Sequence, residues 1–111
     1  MTDLEFFFDP ICPWAWITSR WVCEVRTLRD YDVRWRPISL KLLNENQTAD
    51  WYTAEYRQMH AIGHQNLRVA VGLDQRLGNV AMGDFYSALG TEGHEHGRRE
   101  DFLRTSRQFT S

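Results

Sequence analysis

The sequence predicts an α/β fold in which one parallel βαβ unit is followed by a helical region. Three observations carry this. Leu4–Asp9 is almost continuously apolar and too short for a helix, which suits a strand covered on both faces. Pro13 opens the next apolar run and suits the first position of a helix, where its missing N–H costs nothing. Val33-Arg34-Trp35-Arg36 alternates apolar and basic residues and is closed by Pro37, as in a strand nearer a sheet edge. A crossover helix between two such strands makes them parallel.

The first helix is expected to run from Pro13 to about Leu28-Arg29, with Trp14, Ile17, Trp21, Val25 and Leu28 along one apolar stripe. Trp16 and Trp21 read as core residues. Asp30-Tyr31-Asp32 breaks the helix. After Leu43 the periodicity becomes helical, which divides the chain into a βαβ unit, residues 1–43, and a helical insertion or lid, residues 44–111. Asp50 or Thr53 caps a helix through Tyr56, Met59 and Ile62 that should stop at Gly63. Leu67, Val71, Leu73 and Leu77 mark a second ending at Gly78. Phe85, Tyr86 and Leu89 mark a third closing at Gly90 or Gly93, and Arg98–Arg107 can begin a fourth. A two-stranded parallel sheet is not independently stable. Further strands are therefore expected from a second copy, a companion chain or the remainder of a longer chain.

Composition narrows the function classes. The 111 residues are 42% hydrophobic and 25% charged with net charge −2, which excludes disorder, a membrane span and a general affinity for nucleic acid. The acidic start Met1-Thr2-Asp3-Leu4-Glu5 has no basic region before its apolar run, so a cytoplasmic location is expected. In that compartment the two cysteines are expected to be reactive or buried rather than bridged. Cys12 and Cys23 would lie roughly 16 Å apart along one helix, too far for a disulfide. Cys23, among Trp21, Val22 and Val25, reads as a small buried hydrophobe.

The chemistry concentrates at Cys12. A cysteine at the start of a helix faces unpaired N–H groups and the positive end of the helix dipole, both of which favour the thiolate. Trp14 can wall the sulfur and stack on a flat ligand. A dithiol site would be Cys-x-x-Cys, and its fourth position here is Ala15. Asn44 and Asn46 follow the second strand, where loops of α/β units reach the ligand face. Asn44 is a candidate for lining the site, and Tyr56 for donating its hydroxyl toward a substrate at Cys12. His60 and His64 share i, i+4 spacing, yet they and the pair His94/His96 read as solvated surface residues rather than metal ligands. Arg98-Arg99, Arg34 and Arg36 read as solvated charges.

Phe6-Phe7-Phe8-Asp9-Pro10-Ile11-Cys12-Pro13-Trp14-Ala15-Trp16-Ile17, followed by Arg20-Trp21, Ser39-Leu40 and Leu43-Asn44-Glu45-Asn46, resembles the DsbA-like thioredoxin-fold proteins of actinobacteria. Glu55-Tyr56-Arg57, Met59, Gly90 and His94 extend the likeness. It is nearest to their mycothiol-dependent reductases. The resemblance implies a thioredoxin-like βαβ unit with an α-helical insertion, spanning about the first half of a family member. The C-terminal strands, and a loop with a cis-proline facing the cysteine, would then be missing from this chain. It also implies that Ala15 replaces a resolving cysteine. Cys12 would then act as the catalytic residue of a monothiol redox cycle, with mycothiol or a similar thiol as co-substrate and Pro13, Trp14, Ala15, Asn44 and Tyr56 around the substrate. Related families include thiol-dependent cis–trans isomerases, in which one thiolate adds reversibly to a conjugated alkene and no second cysteine is needed. The third alternative is a non-catalytic partner-binding subunit. No bound cofactor and no metal are expected, and the partner is expected to be a homodimer mate or a companion chain.

Overall fold

The computed structural model describes residues 2–96. Strand β1 (Leu4–Phe8) leads to helix α1 (Pro13–Arg26), strand β2 (Val33–Pro37) and a short helix α2 (Leu40–Leu43). The long helix α3 (Ala54–Leu77), helix α4 (Asn79–Gly90) and a π-helical turn (Thr91–Glu95) complete the mixed α/β architecture. β1 and β2 pair in parallel from Leu4 opposite Val33 to Phe8 opposite Pro37, the only sheet among the described residues. This small sheet with helices is compatible with part of a thioredoxin-like unit. The predicted helix over Arg98–Arg107 and the Arg98-Arg99 pair lie outside the described residues.

The core is an aromatic box. Phe8 stacks on Tyr86 with ring centroids 4.3 Å apart, and Trp35 meets Phe6, Phe8 and Tyr86 edge-on. Trp16 closes the box from α1, edge-on to Tyr86. Helix α4 comes close enough to make this contact because it is thin where the indoles sit. A Cβ on Gly83 would run into Trp35, and one on Gly90 into Trp16. Asn79 ties the start of α4 to the sheet, accepting from Trp35 N–H at 2.7 Å and donating to Trp35 C=O at 2.9 Å.

Three expectations change. β1 is not covered on both faces: Phe8 is buried and Phe6 half-buried, but Phe7 between them is 53% exposed. Its residues alternate because the described helices cover only one side of it closely. The stripe Trp14–Ile17–Trp21 is the outward face of α1, with Leu28 exposed past its end, and the helix instead buries Trp16, Ser19 and Val22. The indole of Trp16 fits the groove opened by Gly90, and that contact sets the rotation of the helix. Trp21 is accordingly no core residue, being 66% exposed, and the helix ends at Arg26, slightly short of Leu28. Finally, α3 runs unbroken through Gly63, capped by Thr53 and ended by Gly78 with φ +96°. The glycine expected to stop this helix serves a contact instead.

Candidate functional site

The thiol turn grows out of the C-terminal end of β1. Pro10 and Ile11 are buried, and Cys12 N–H donates to Asp9 C=O at 3.0 Å, tightening the turn. Cys12 has extended backbone geometry and caps α1, with Pro13 in the first turn as its fixed φ allows. Its Sγ accepts from Ala15 N–H at 3.4 Å. An N–H aimed at sulfur from a helix N-terminus strengthens when the sulfur is anionic, and the anion is the nucleophile. Pro13, Trp14 and Ala15 thus stand in the same helical turn as the half-buried Cys12. Trp14, 77% exposed, is free to lie against a ligand. Cys23 packs partly buried against the core, and both thiols are unbridged.

Beneath this turn lies Asp9, whose carboxylate acts as a strut. Oδ1 accepts from Ile11 N–H at 3.1 Å and Oδ2 from Leu40 N–H at 2.8 Å, so one side chain joins the turns that follow both strands. Burial pushes its pKa above the ordinary carboxylate value, against the two N–H donors and the fields of His60 and His64. Gly63 of α3 sits directly on this strut; a Cβ there would collide with Asp9 Oδ1 and Ile11. Next along the helix, His60 is buried, and its Nδ1 shares a 2.7 Å hydrogen bond with the Tyr52 hydroxyl. Desolvation lowers the His60 pKa, opposed by the Asp9 charge. His60 is therefore not the surface residue the sequence suggested. His64 is also drawn in, sharing a 2.9 Å bond with Ser39 Oγ through Nδ1.

A second support comes from the π-helical turn after α4. His94 Nε2–H donates to Pro10 C=O at 2.7 Å, and its ring stacks on Trp16. Trp16 Nε1–H donates to Glu95 Oε1 at 2.9 Å, while the Arg20 guanidinium lies 4.0 Å over the Trp16 ring. Burial lowers the His94 pKa, partly offset by the Pro10 carbonyl and the Glu95 charge. Such π-turns tend to occur at functional sites. Tyr86, fully buried, has its hydroxyl pKa raised well above the usual value by burial, against the lowering effects of Ser19 and the Arg20 charge.

The two remaining predicted residues take other positions. Asn44 caps the end of α2, where its Nδ2–H donates to Leu40 C=O at 2.9 Å. Tyr56 belongs to a cluster with Trp51, Tyr52 and His60, and its link to the thiol turn runs through His60 and Asp9. The sequence reading missed His60, Tyr86 and His94 as parts of this neighbourhood. Tyr86 stands with Met82 and Leu89 on an apolar face, which marked it for the core, whereas the residues three and four away from His60 and His94 are mostly polar or glycine and gave no such signal. Among the described residues, no group of three His, Cys, Asp or Glu side chains is arranged to hold a metal ion. No described helix is long and apolar enough to cross a membrane.

Known proteins are similar to this chain at the level of sequence. A family model described as mycothiol-dependent nitroreductase Rv2466c matches residues 11–107, a stretch that includes Cys12 and the helices that follow it. An uncharacterized protein of Mycobacterium tuberculosis, Rv2286c, is 32% identical over 104 residues. That match covers 87% of this chain and 40% of the relative, so the chain spans less than half the relative's length.

Proposed function

The chain belongs to the Rv2466c-like family of mycothiol-dependent nitroreductases, and on that premise we propose that Cys12 is a single nucleophile for monothiol redox chemistry with mycothiol. The observation that supports this reading is the Cys12 cap, with Ala15 N–H on its sulfur and Ala15 itself where a dithiol site has its second cysteine. The Cys12 thiolate attacks the mycothiol sulfur of a disulfide between mycothiol and a substrate thiol; that S–S bond breaks, the substrate leaves as thiolate and takes a proton, and a Cys12–mycothiol disulfide forms. A second mycothiol thiolate attacks the mycothiol sulfur of that bond, which releases the Cys12 thiolate and forms mycothiol disulfide. In sum the substrate disulfide is reduced to its thiol and the two mycothiols are joined as their disulfide, so electrons and protons balance without a second cysteine. Trp14 and Pro13 would flank the ligand, with Asn44 and Tyr56 contributing from farther out.

We read residues 1–43 as the thiol-bearing unit, 44–111 as the lid over it, and the cytoplasm as the working compartment. The open side of β1 and the outward stripe of α1 would be covered by further polypeptide, from a homodimer mate or a companion chain.

Intact mass after incubation with mycothiol disulfide is expected to rise by one mycothiol, and Cys12→Ser to show no rise. Labelling of Cys23 instead, or none at all, overturns the redox reading. The lone thiol also suits reversible addition to a conjugated alkene. Geometric isomerisation of such a substrate without net oxidation, lost in Cys12→Ser, would favour that second reading.

A further inference from the structure

Between the end of β2, α2 and the second half of α3 lies an open groove of about 450 Å³. Its walls are apolar, formed by Pro37, Leu42, Leu67 and Val71, and the Ser39–His64 hydrogen bond adds one polar pair. Arg68 and Gly72 also line it, and both are shared with an adjoining groove that brings in Arg76. Neither arginine pairs with a carboxylate among the described residues, where the ion pair present is Arg36–Glu5. Two unneutralised cations therefore border an apolar hollow.

Gly72 is the second, independent observation. Glycine is the worst ordinary residue for a helix interior. Gly63, Gly83 and Gly90 are each needed because a neighbour presses on the backbone, and Gly78 has a positive φ. Gly72 has neither reason: its φ is negative, and an added Cβ would meet nothing closer than the Arg76 guanidinium at 3.7 Å. The Arg76 side chain folds back over this backbone, its Nε–H donating to Gly72 C=O at 3.4 Å, and the same glycine lines the groove, where it takes no space from an occupant.

We propose that this groove binds a small aromatic carboxylate. Its ring system lies against Gly72 between the apolar walls, and its charge is held by Arg68 with Arg76 beyond. Burying a flat apolar body favours binding in proportion to the area covered, and the guanidinium's planar fork matches a carboxylate. Cys12 does not line the groove. The connection between the two places is short: Ser39 borders the groove, and the next residue, Leu40, donates its N–H to Asp9 beneath the thiol turn.

The test titrates naphthoate, and neutral naphthylmethanol as its uncharged counterpart, into the full 111-residue chain, followed by calorimetry and amide chemical shifts. Naphthoate is expected to bind saturably, about tenfold or more tighter than the alcohol, with shifts centred on Gly72 and Ser39. Arg68→Gln should reduce naphthoate to the alcohol's affinity. Gly72→Leu should abolish binding of both while leaving the melting temperature equal or higher. Absence of saturable binding overturns the proposal, as does equal affinity for acid and alcohol, or binding unchanged in both variants. A shift in oligomeric state on Gly72→Leu with naphthoate binding retained assigns the face to a chain–chain contact and also overturns it. Arg68→Gln alters an exposed side chain, so the test remains decisive if Gly72→Leu does not fold.

Discussion

The two sides of α1 differ sharply in how completely they are finished. The inner side sets Trp16 into a fitted socket: a glycine backbone beneath the ring, Arg20 above it, Tyr86 and His94 on its faces and edges, and Glu95 on its N–H. The outer side carries Trp14, Ile17 and Trp21, all exposed, with Leu28 just past its end and Phe7 of β1 exposed as well. Soluble monomers rarely leave so many large apolar side chains together in water. The inner side is a completed core, whereas the outer side has the composition of a core without its counterpart. The thiol turn stands at the end of α1, where the two sides meet.

This contrast can be broken or sharpened by experiment. The largest stability effect is expected for Trp16→Ala, at about 3–5 kcal/mol in chemical denaturation, because it empties the socket and strands Glu95. Gly83→Val comes next, at about 1–3 kcal/mol by overpacking against Trp35. Acid should also loosen the inner side. His60 and His94 both have lowered folded-state pKa values, so their contribution is full above the ordinary value of 6.5 and is lost as pH falls through their folded values. Asp9 works in the opposite sense: its raised pKa favours the protonated fold, and that contribution fades as pH rises from 3.8 through the folded value. A melting temperature that falls below pH 6.5 in the parent, and falls less in His60→Gln and His94→Gln, is the expected record. The smallest effect is expected for Trp21→Lys, within about 0.5 kcal/mol if the outer side is open in solution. A loss as large as that of Trp16→Ala, or a change in oligomeric state, would show that another polypeptide already covers it.

Much of the unit around the thiol was legible from residue order. The apolar run before Asp9, Pro13 after Cys12 and the alternation at Val33–Arg36 placed β1, the start of α1 and β2 correctly. The rotation of α1 was not legible, because apolar residues surround the helix. Trp14–Ile17–Trp21 makes as good a stripe as Trp16–Ser19–Val22, and only the socket on α4 decides between them. Gly63 misled for a related reason: glycine ends helices and also admits close neighbours, and nothing local distinguishes the two uses. The histidines were misjudged because their partners, Tyr52, Ser39 and the Pro10 carbonyl, come together only through tertiary packing.

The π-helical turn at Thr91–Glu95 carries a further consequence. An α-helix advances about 100° per residue, so a single deletion in this turn would swing all that follows by more than a quarter circle. His94 would leave the Pro10 carbonyl and Glu95 would leave Trp16 in the same motion. The stiffness of the cysteine's turn, at the far end of the sequence described, therefore depends on a one-residue phase error kept in the helix opposite it.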